Sequence, residues 1–375
     1  MRQTRRSVNF LFAAAYWGLV ANCFAAASAD LLKAKAEAES KGYIFATSHD
    51  EVVARAQKEG KMRALSSLPA VAIKAMAEAF RKKYPFLDVY AEEIDGNEAH
   101  QRFILEMKAG RAQQWDVNAV QNAFYSDYPP LQKKFDILGM AEHRVLNIPA
   151  EIVDPFDRNI VASASNIQVV AYNKRLISAE RVPKTWEDFL RPEFKGEKFV
   201  ADIRPAVLSV LVPAWGLARA VDFARKIAAQ RPVWARGYTR VLTAMVGGEY
   251  PLALGPNFGA VKRAQDRDPT KSLEYKILEP VPVRLGGTDA VTARAAHPYA
   301  ALLWLEFHGS PEGQSLIDKY WPYGASVFVP GSSQDQETRG KKLSVMGWEH
   351  FTKIQEYEKK LIEAYGFPTE SKKTP

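Results

Sequence analysis

The residues best placed for chemistry are polar groups in short loops rich in Gly or Pro: Ser66-Ser67, Gly96-Asn97, Gln121-Asn122, Ser163 to Asn166, Asp202 with Arg204, and Gly255 to Phe258. Hydroxyls and amides of this kind exchange hydrogen bonds and suit recognition better than bond cleavage. Arg204, in "ADIRPAV", precedes a proline that fixes its turn. Its guanidinium matches a carboxylate, phosphate or phosphonate through two parallel hydrogen bonds, and its other available partner is Asp202, whose side chain leaves the strand on the same side. Each loop taken alone serves equally well as a turn or a cap. Together they give a candidate ligand-binding set of Ser66, Ser67, Asn97, Gln121, Asn122, Ser165, Asp202, Arg204, Asn257 and Phe258.

Neither a catalytic residue nor a metal ligand emerges. The chain lacks a Gly-x-Ser-x-Gly elbow, a His-Glu-x-x-His pair, a phosphate loop ending in Gly-Lys-Ser or Gly-Lys-Thr, and a Gly-x-Gly-x-x-Gly fingerprint. His49, His100, His143, His297, His308 and His350 are scattered without ligand spacing. Glu92 and Glu93 are neighbours on a predicted strand, so they point to opposite faces and cannot share acid and base duties. No cofactor is expected.

These loops need strands to hold them. Ser48 and Glu51 fit a capping box for a helix in "EVVARAQKEGK" that ends at Gly60. A strand in "MRALSS" follows, then helix "AVAIKAMAEAFRKKY", strand "LDVYAEEI", helix "NEAHQRFILEMKAG" and strand "WDVNAV". Strict alternation predicts a mostly parallel sheet covered on both faces. A second series starts at "NIQVVAYN", with a helix start at Thr185-Trp186-Glu187-Asp188, strand "KFVADI", helices in "LARAVDFARKIAAQ" and "GYTRVLTAMVGG", and strand "PLALG". Late in the chain, "AAHPYAALLWLEFHGSPEGQ" predicts two helices meeting at a corner. Pro298 opens the first, Ala300, Leu303, Trp304 and Phe307 share one face, Gly309 stops it, and Ser310 caps a second helix that starts at Pro311 with Glu312 in its first turn. Trp348, Phe351, Ile354, Tyr357, Leu361 and Tyr365 keep helical spacing near the end.

At 375 residues, 47% hydrophobic and 25% charged, the chain is globular and long enough for two lobes. Three arginines, an apolar run and the triplet Ala27-Ser28-Ala29 read as a secretory signal peptide cleaved after Ala29, by the general or the twin-arginine route; an uncleaved anchor is the alternative. The single cysteine, Cys23, lies in that segment, and Asn22 before it argues against lipid attachment. Losing Arg2, Arg5 and Arg6 takes the formal charge from +8 to +5. With no basic run interleaved with aromatics, nucleic acid is not an expected partner.

The pieces "ARAQKEGKMRALSS", "AEAFRKKYPFLDV", "RFILEMKAGRAQQWDV", "VVAYNKRLI" and "VPKTWEDFLRPEFKGEKFVAD", together with the late helix pair, resemble type II periplasmic solute-binding proteins of ABC importers, a family with ferric-ion, thiamine, phosphonate and polyamine binders. The resemblance implies a bilobal α/β fold with two hinge strands near "ASNIQVVAYN" and "EPVPVRLGG". It divides the chain into a signal peptide (1–29), lobe 1 (30–165), lobe 2 (166–285), a return to lobe 1 (286–345) and a C-terminal helix and tail (346–375). It also implies a small polar solute, an ABC permease with its ATPase as partners, and a monomer in the periplasm. A periplasmic enzyme on a bilobal scaffold, a sensory module and a ferric binder stay open as alternatives. Ferric members resembling this chain carry two neighbouring tyrosines where Phe258 and Gly259 stand, and neither of these offers an oxygen donor.

Overall fold

The computed structural model describes residues 28–367, so the signal-peptide reading and the "PTESKKTP" tail lie outside the described residues. The chain begins with α1 (Ala29–Ser40) and α2 (His49–Glu59), then alternates β1 (Lys61–Ser66), α3 (Ala70–Lys83), β2 (Asp88–Glu93), α4 (Asn97–Lys108) and β3 (Val117–Ala119). After α5 (Ile137–Glu142) comes the long strand β4 (Ile160–Asn173), then β5 (Val200–Asp202), α6 (Ala206–Trp215), α7 (Leu217–Ala229), β6 (Val233–Ala235), α8 (Thr239–Val246), β7 (Leu252–Asn257) and α9 (Phe258–Asp266). Strands β8 (Leu273–Lys276) and β9 (Val281–Val291) lead to α10 (Pro298–Gly309), α11 (Pro311–Tyr320), α12 (Ser333–Thr338), β10 (Leu343–Met346) and α13 (Ile354–Tyr365).

Local chemistry sets these bounds. Ser48 Oγ accepts from the Glu51 amide at 3.1 Å, the Glu51 carboxylate accepts from the Thr47 amide at 3.0 Å, and Gly60 closes α2 with φ of 70°. Ser310 Oγ accepts from the Gly313 amide at 3.1 Å, with Pro311 in the first turn of α11. At Thr185-Trp186-Glu187-Asp188 the Asp188 carboxylate caps the amides of Lys184 and Thr185, but only a single 3-10 turn, Glu187–Leu190, follows. In helix α10 every residue from Ala300 to Gly309 is buried, as expected of a core helix pair. It is a core helix.

Strand order is β2-β1-β3-β9-β4-β7-β5-β6, with β10 added to β9 and β8 to β4. β2, β1 and β3 are parallel, as are β7, β5 and β6, while β4 and β9 run antiparallel through the middle. The first half of β4 pairs with β9 from Ile160–Ala290 to Ile167–Val283, and its second half pairs with β7 and β8. Two long strands therefore join two lobes. Gly287, with φ of 57°, is required at this crossing: a Cβ there would lie 2.8 Å from the Cβ of Ala164. In the first lobe Phe80 packs edge-on against Trp304 (5.2 Å between centroids) and against Phe307 (5.5 Å), all nearly inaccessible to solvent. At ~25 cal/mol per Å² and roughly 200 Å² per ring, each contributes about 5 kcal/mol before entropy is subtracted.

The final segment does not stay with one lobe. Trp348 and Phe351 pack on the first lobe beside Tyr125, with the Tyr125 and Phe351 rings 5.5 Å apart, and Tyr357, Leu361 and Tyr365 of α13 then pack into the second lobe with α6 and α7.

Candidate functional site

A cavity of about 500 Å³ opens where the hinge strands cross. The first lobe contributes Asn97 at the start of α4 and Gln121-Asn122 just beyond β3; the hinge contributes Ser165 and Asn166 of β4 and Arg284 to Gly286 of β9. Trp321 follows α11, and Ile354, Gln355 and Glu358 come from α13. Smaller cavities, such as that between α8 and α9, are lined by one lobe only.

Of the ten sequence candidates, Asn97, Gln121, Asn122 and Ser165 are brought together here. Two of these four are already committed to the framework. Asn122 Nδ2 donates to the Leu285 carbonyl at 3.0 Å, and the Thr288 hydroxyl beside it donates to the Val120 carbonyl at 2.7 Å, so these two side chains fasten the loop after β3 to β9. Ser165 Oγ donates to Gln334 Oε1 at 2.9 Å and accepts from the Val327 amide at 2.8 Å. Its backbone continues the tie, because the Ser165 carbonyl accepts from Gln334 Nε2 at 2.7 Å and its amide donates to Gly324. The side-chain amides of Asn97, Gln121, Asn166 and Gln355 carry no hydrogen bond among the described residues and are available to a ligand.

The other six candidates lie elsewhere, for reasons of packing. Ser66 is fully buried and donates to Asp289 Oδ2 at 3.0 Å; burial pushes the Asp289 carboxyl up against the opposing pull of His308. Ser67 follows the end of β1 and does not line the cavity. Asp202 accepts from the Arg204 amide (2.9 Å), from Arg204 Nε (3.2 Å) and Nη2 (2.8 Å), and from the Gly237 amide (3.1 Å). Arg204 is thus held by Asp202, and that hydrogen bond raises its pKa. Asn257 is exposed at the end of β7 without capping α9 through its side chain. Phe258 turns inward between Tyr275 and Tyr323, with centroids 5.2 and 5.3 Å away.

Sequence reasoning missed Arg284, Trp321, Gln355 and Glu358. A signal did exist for Arg284, the one charged residue in "VPVRLGG". It reaches Glu358 at 3.5 Å, with both side chains 39% exposed. Neutral amides, one guanidinium, one carboxylate and the Trp321 indole can hold a small polar solute. No histidine or cysteine is among the described lining residues.

Two lobes of parallel strands joined by antiparallel hinge strands, with a polar cavity at the crossing, define a bilobal solute-binding protein. The model of the bacterial extracellular solute-binding protein family matches residues 119–353, and the chain belongs to that family. Similar solved structures include a Bordetella ferric binding protein (16% identity, TM-score 0.65, covering 82% of this chain and 100% of that one). An iron- and citrate-bound Trichodesmium protein is 19% identical with TM-score 0.61, over 82% and 100% of the two chains. The substrate binding protein of an Agrobacterium tumefaciens ABC transporter is 18% identical with TM-score 0.57, over 81% and 94%. Among curated protein sequences, none matches the chain significantly. No described helix is long and apolar enough to cross a membrane.

Proposed function

We infer that this chain is the receptor of an ABC importer, exported to the periplasm, which captures a small polar organic solute in the hinge cavity and hands it to a permease and its ATPase. The observation that carries the reading is the convergence of uncommitted amides from the first lobe, the hinge and the C-terminal helix on one cavity at the strand crossing. The lobe boundaries at 165/166 and 285/286 fall inside β4 and β9, where closure would bend the chain. Ligand would favour a closed form by its differential affinity for that form.

Iron is bound by some of the similar structures. Here Phe258 is packed away between Tyr275 and Tyr323, Gly259 faces the Pro322 carbonyl, and Tyr275 donates its proton to Glu337 at 2.8 Å. The Tyr275 pKa is raised by burial first and then by that carboxylate, which disfavours the phenolate that ferric ion needs. The reading is tested by mass spectrometry of small molecules released from gently purified protein, followed by calorimetry and small-angle scattering with the released compound. Compaction on binding supports it, and scattering unchanged at saturation defeats it. Stoichiometric iron with a tyrosinate charge-transfer band would replace the organic solute with a metal.

A further inference from the structure

We propose that the solute is a zwitterion, gripped at its anionic end by Arg284 and at its cationic end by Glu358. This deepens the reading of the cavity as the solute site and rests on it. Arg284 sits among Val281, Val283 and Leu285 on a hinge strand that is otherwise almost wholly buried, and its own half-exposed side chain lines the cavity. Its only carboxylate partner among the described residues is Glu358, through a single contact of 3.5 Å between half-exposed groups. Such a pair is weak and is easily parted.

The neighbouring charges do not tip the balance. Arg204 lies near enough to feel Glu358, but its guanidinium is held by Asp202, so the two pairs together are neutral. A solute of one sign would meet attraction from one member of the pair and repulsion from the other. A zwitterion separates the pair and satisfies both members, with its charges facing the opposite charges of the wall. Asn97, Gln121, Asn166 and Gln355 each supply a donor and an acceptor for the remaining hydrogen bonds of an ammonium and an oxyanion. Ile354 and the Trp321 ring offer apolar surface to the carbon chain between them.

The test uses the chain without its leader and a series of probes: glycine, β-alanine, γ-aminobutyrate and δ-aminovalerate, against the fatty acids and alkylamines of matching length and against glycerol. Calorimetry and thermal melts should show at least one zwitterion bound about tenfold more tightly than its singly charged analogues. Glu358→Gln should abolish that preference while binding the matching fatty acid no worse. Arg284→Gln should abolish it while binding the matching alkylamine no worse. The assignment is overturned if no zwitterion binds, if glycerol or a singly charged probe binds best, or if Glu358→Gln tightens zwitterion binding. A compound released from the native protein that lacks one charge sign also overturns it. In that case Gln121→Ala and Asn166→Ala separate the two levels: weaker binding of the released compound keeps the cavity as the solute site, and unchanged binding removes the cavity reading as well.

Discussion

Replacing Ser165 by alanine tests whether this hinge residue serves the solute or the framework. The hydroxyl is 2% exposed and satisfies Gln334 Oε1 and the Val327 amide, both buried. A methyl group can replace neither bond. Each stranded partner costs roughly 1–3 kcal/mol, so Ser165→Ala, which strands two, should lower the stability of the empty protein by about 2–6 kcal/mol. Urea unfolding followed by tryptophan fluorescence reads the loss directly, and calorimetry with the released compound should give an affinity within a few-fold of wild type. If the empty variant unfolds at the wild-type midpoint while affinity collapses, Ser165 is a ligand contact and the framework role assigned to it is wrong.

Arg204→Ala should cost no more than ~1 kcal/mol, because the guanidinium is 60% exposed, and should leave affinity for the released compound intact; calorimetry beside melts of the empty protein decides. Gly255, at φ of 78°, would place a Cβ 2.5 Å from that of Val207, so Gly255→Ala should cost at least ~3 kcal/mol by thermal melt. Gly216, at φ of 78° and ψ of 151°, has nothing within 4 Å but holds a backbone conformation open essentially to glycine alone, so alanine there should cost about 1–3 kcal/mol from strain without a clash. His49 Nε2 meets the buried Glu306 at 2.9 Å, and this hydrogen bond, working against desolvation, raises the His49 pKa. Because the folded pKa lies above the unfolded one, the stabilisation is fully present below about pH 6.5 and fades as pH rises through the folded value. His49→Gln should therefore cost about 1–2 kcal/mol at pH 5.5 and less at pH 8.5 in paired urea titrations, and equal costs at the two pH values would remove the ion pair from the account.

What was legible in the sequence was local. The Ser48–Glu51 cap, the Ser310–Pro311 corner and the β/α alternation up to β3 depend on residues a few positions apart, and each has the expected counterpart. Helix α6 was not, because "AVLSVLVPAW" is apolar on every side and carries no period to read. Helix α10 is likewise buried all round, and its Glu306 and His308 meet partners distant in sequence, Asn147 and Asp289. At the site, the loops after β3 and at the start of α4 were readable as polar strand-end loops. The Arg284–Glu358 pair was not, since it joins a hinge strand to the last helix across 74 residues of sequence.

The path of the final segment also sets a schedule for biogenesis. Residues Trp348 to Tyr365 close the gap between the lobes, fill part of the second lobe's core and supply Gln355 and Glu358 to the cavity. A chain that emerges with its N-terminus first can pair β1 to β3 early, but neither β9 nor α13 has yet appeared. Until the last helix arrives, the apolar side chains of α6 and α7 that α13 covers in the complete chain lack that cover. On the proposed reading of the cavity, capture of solute is thereby coupled to completion of the polypeptide: a chain truncated before α13 would lack Ile354, Gln355 and Glu358 from the cavity wall.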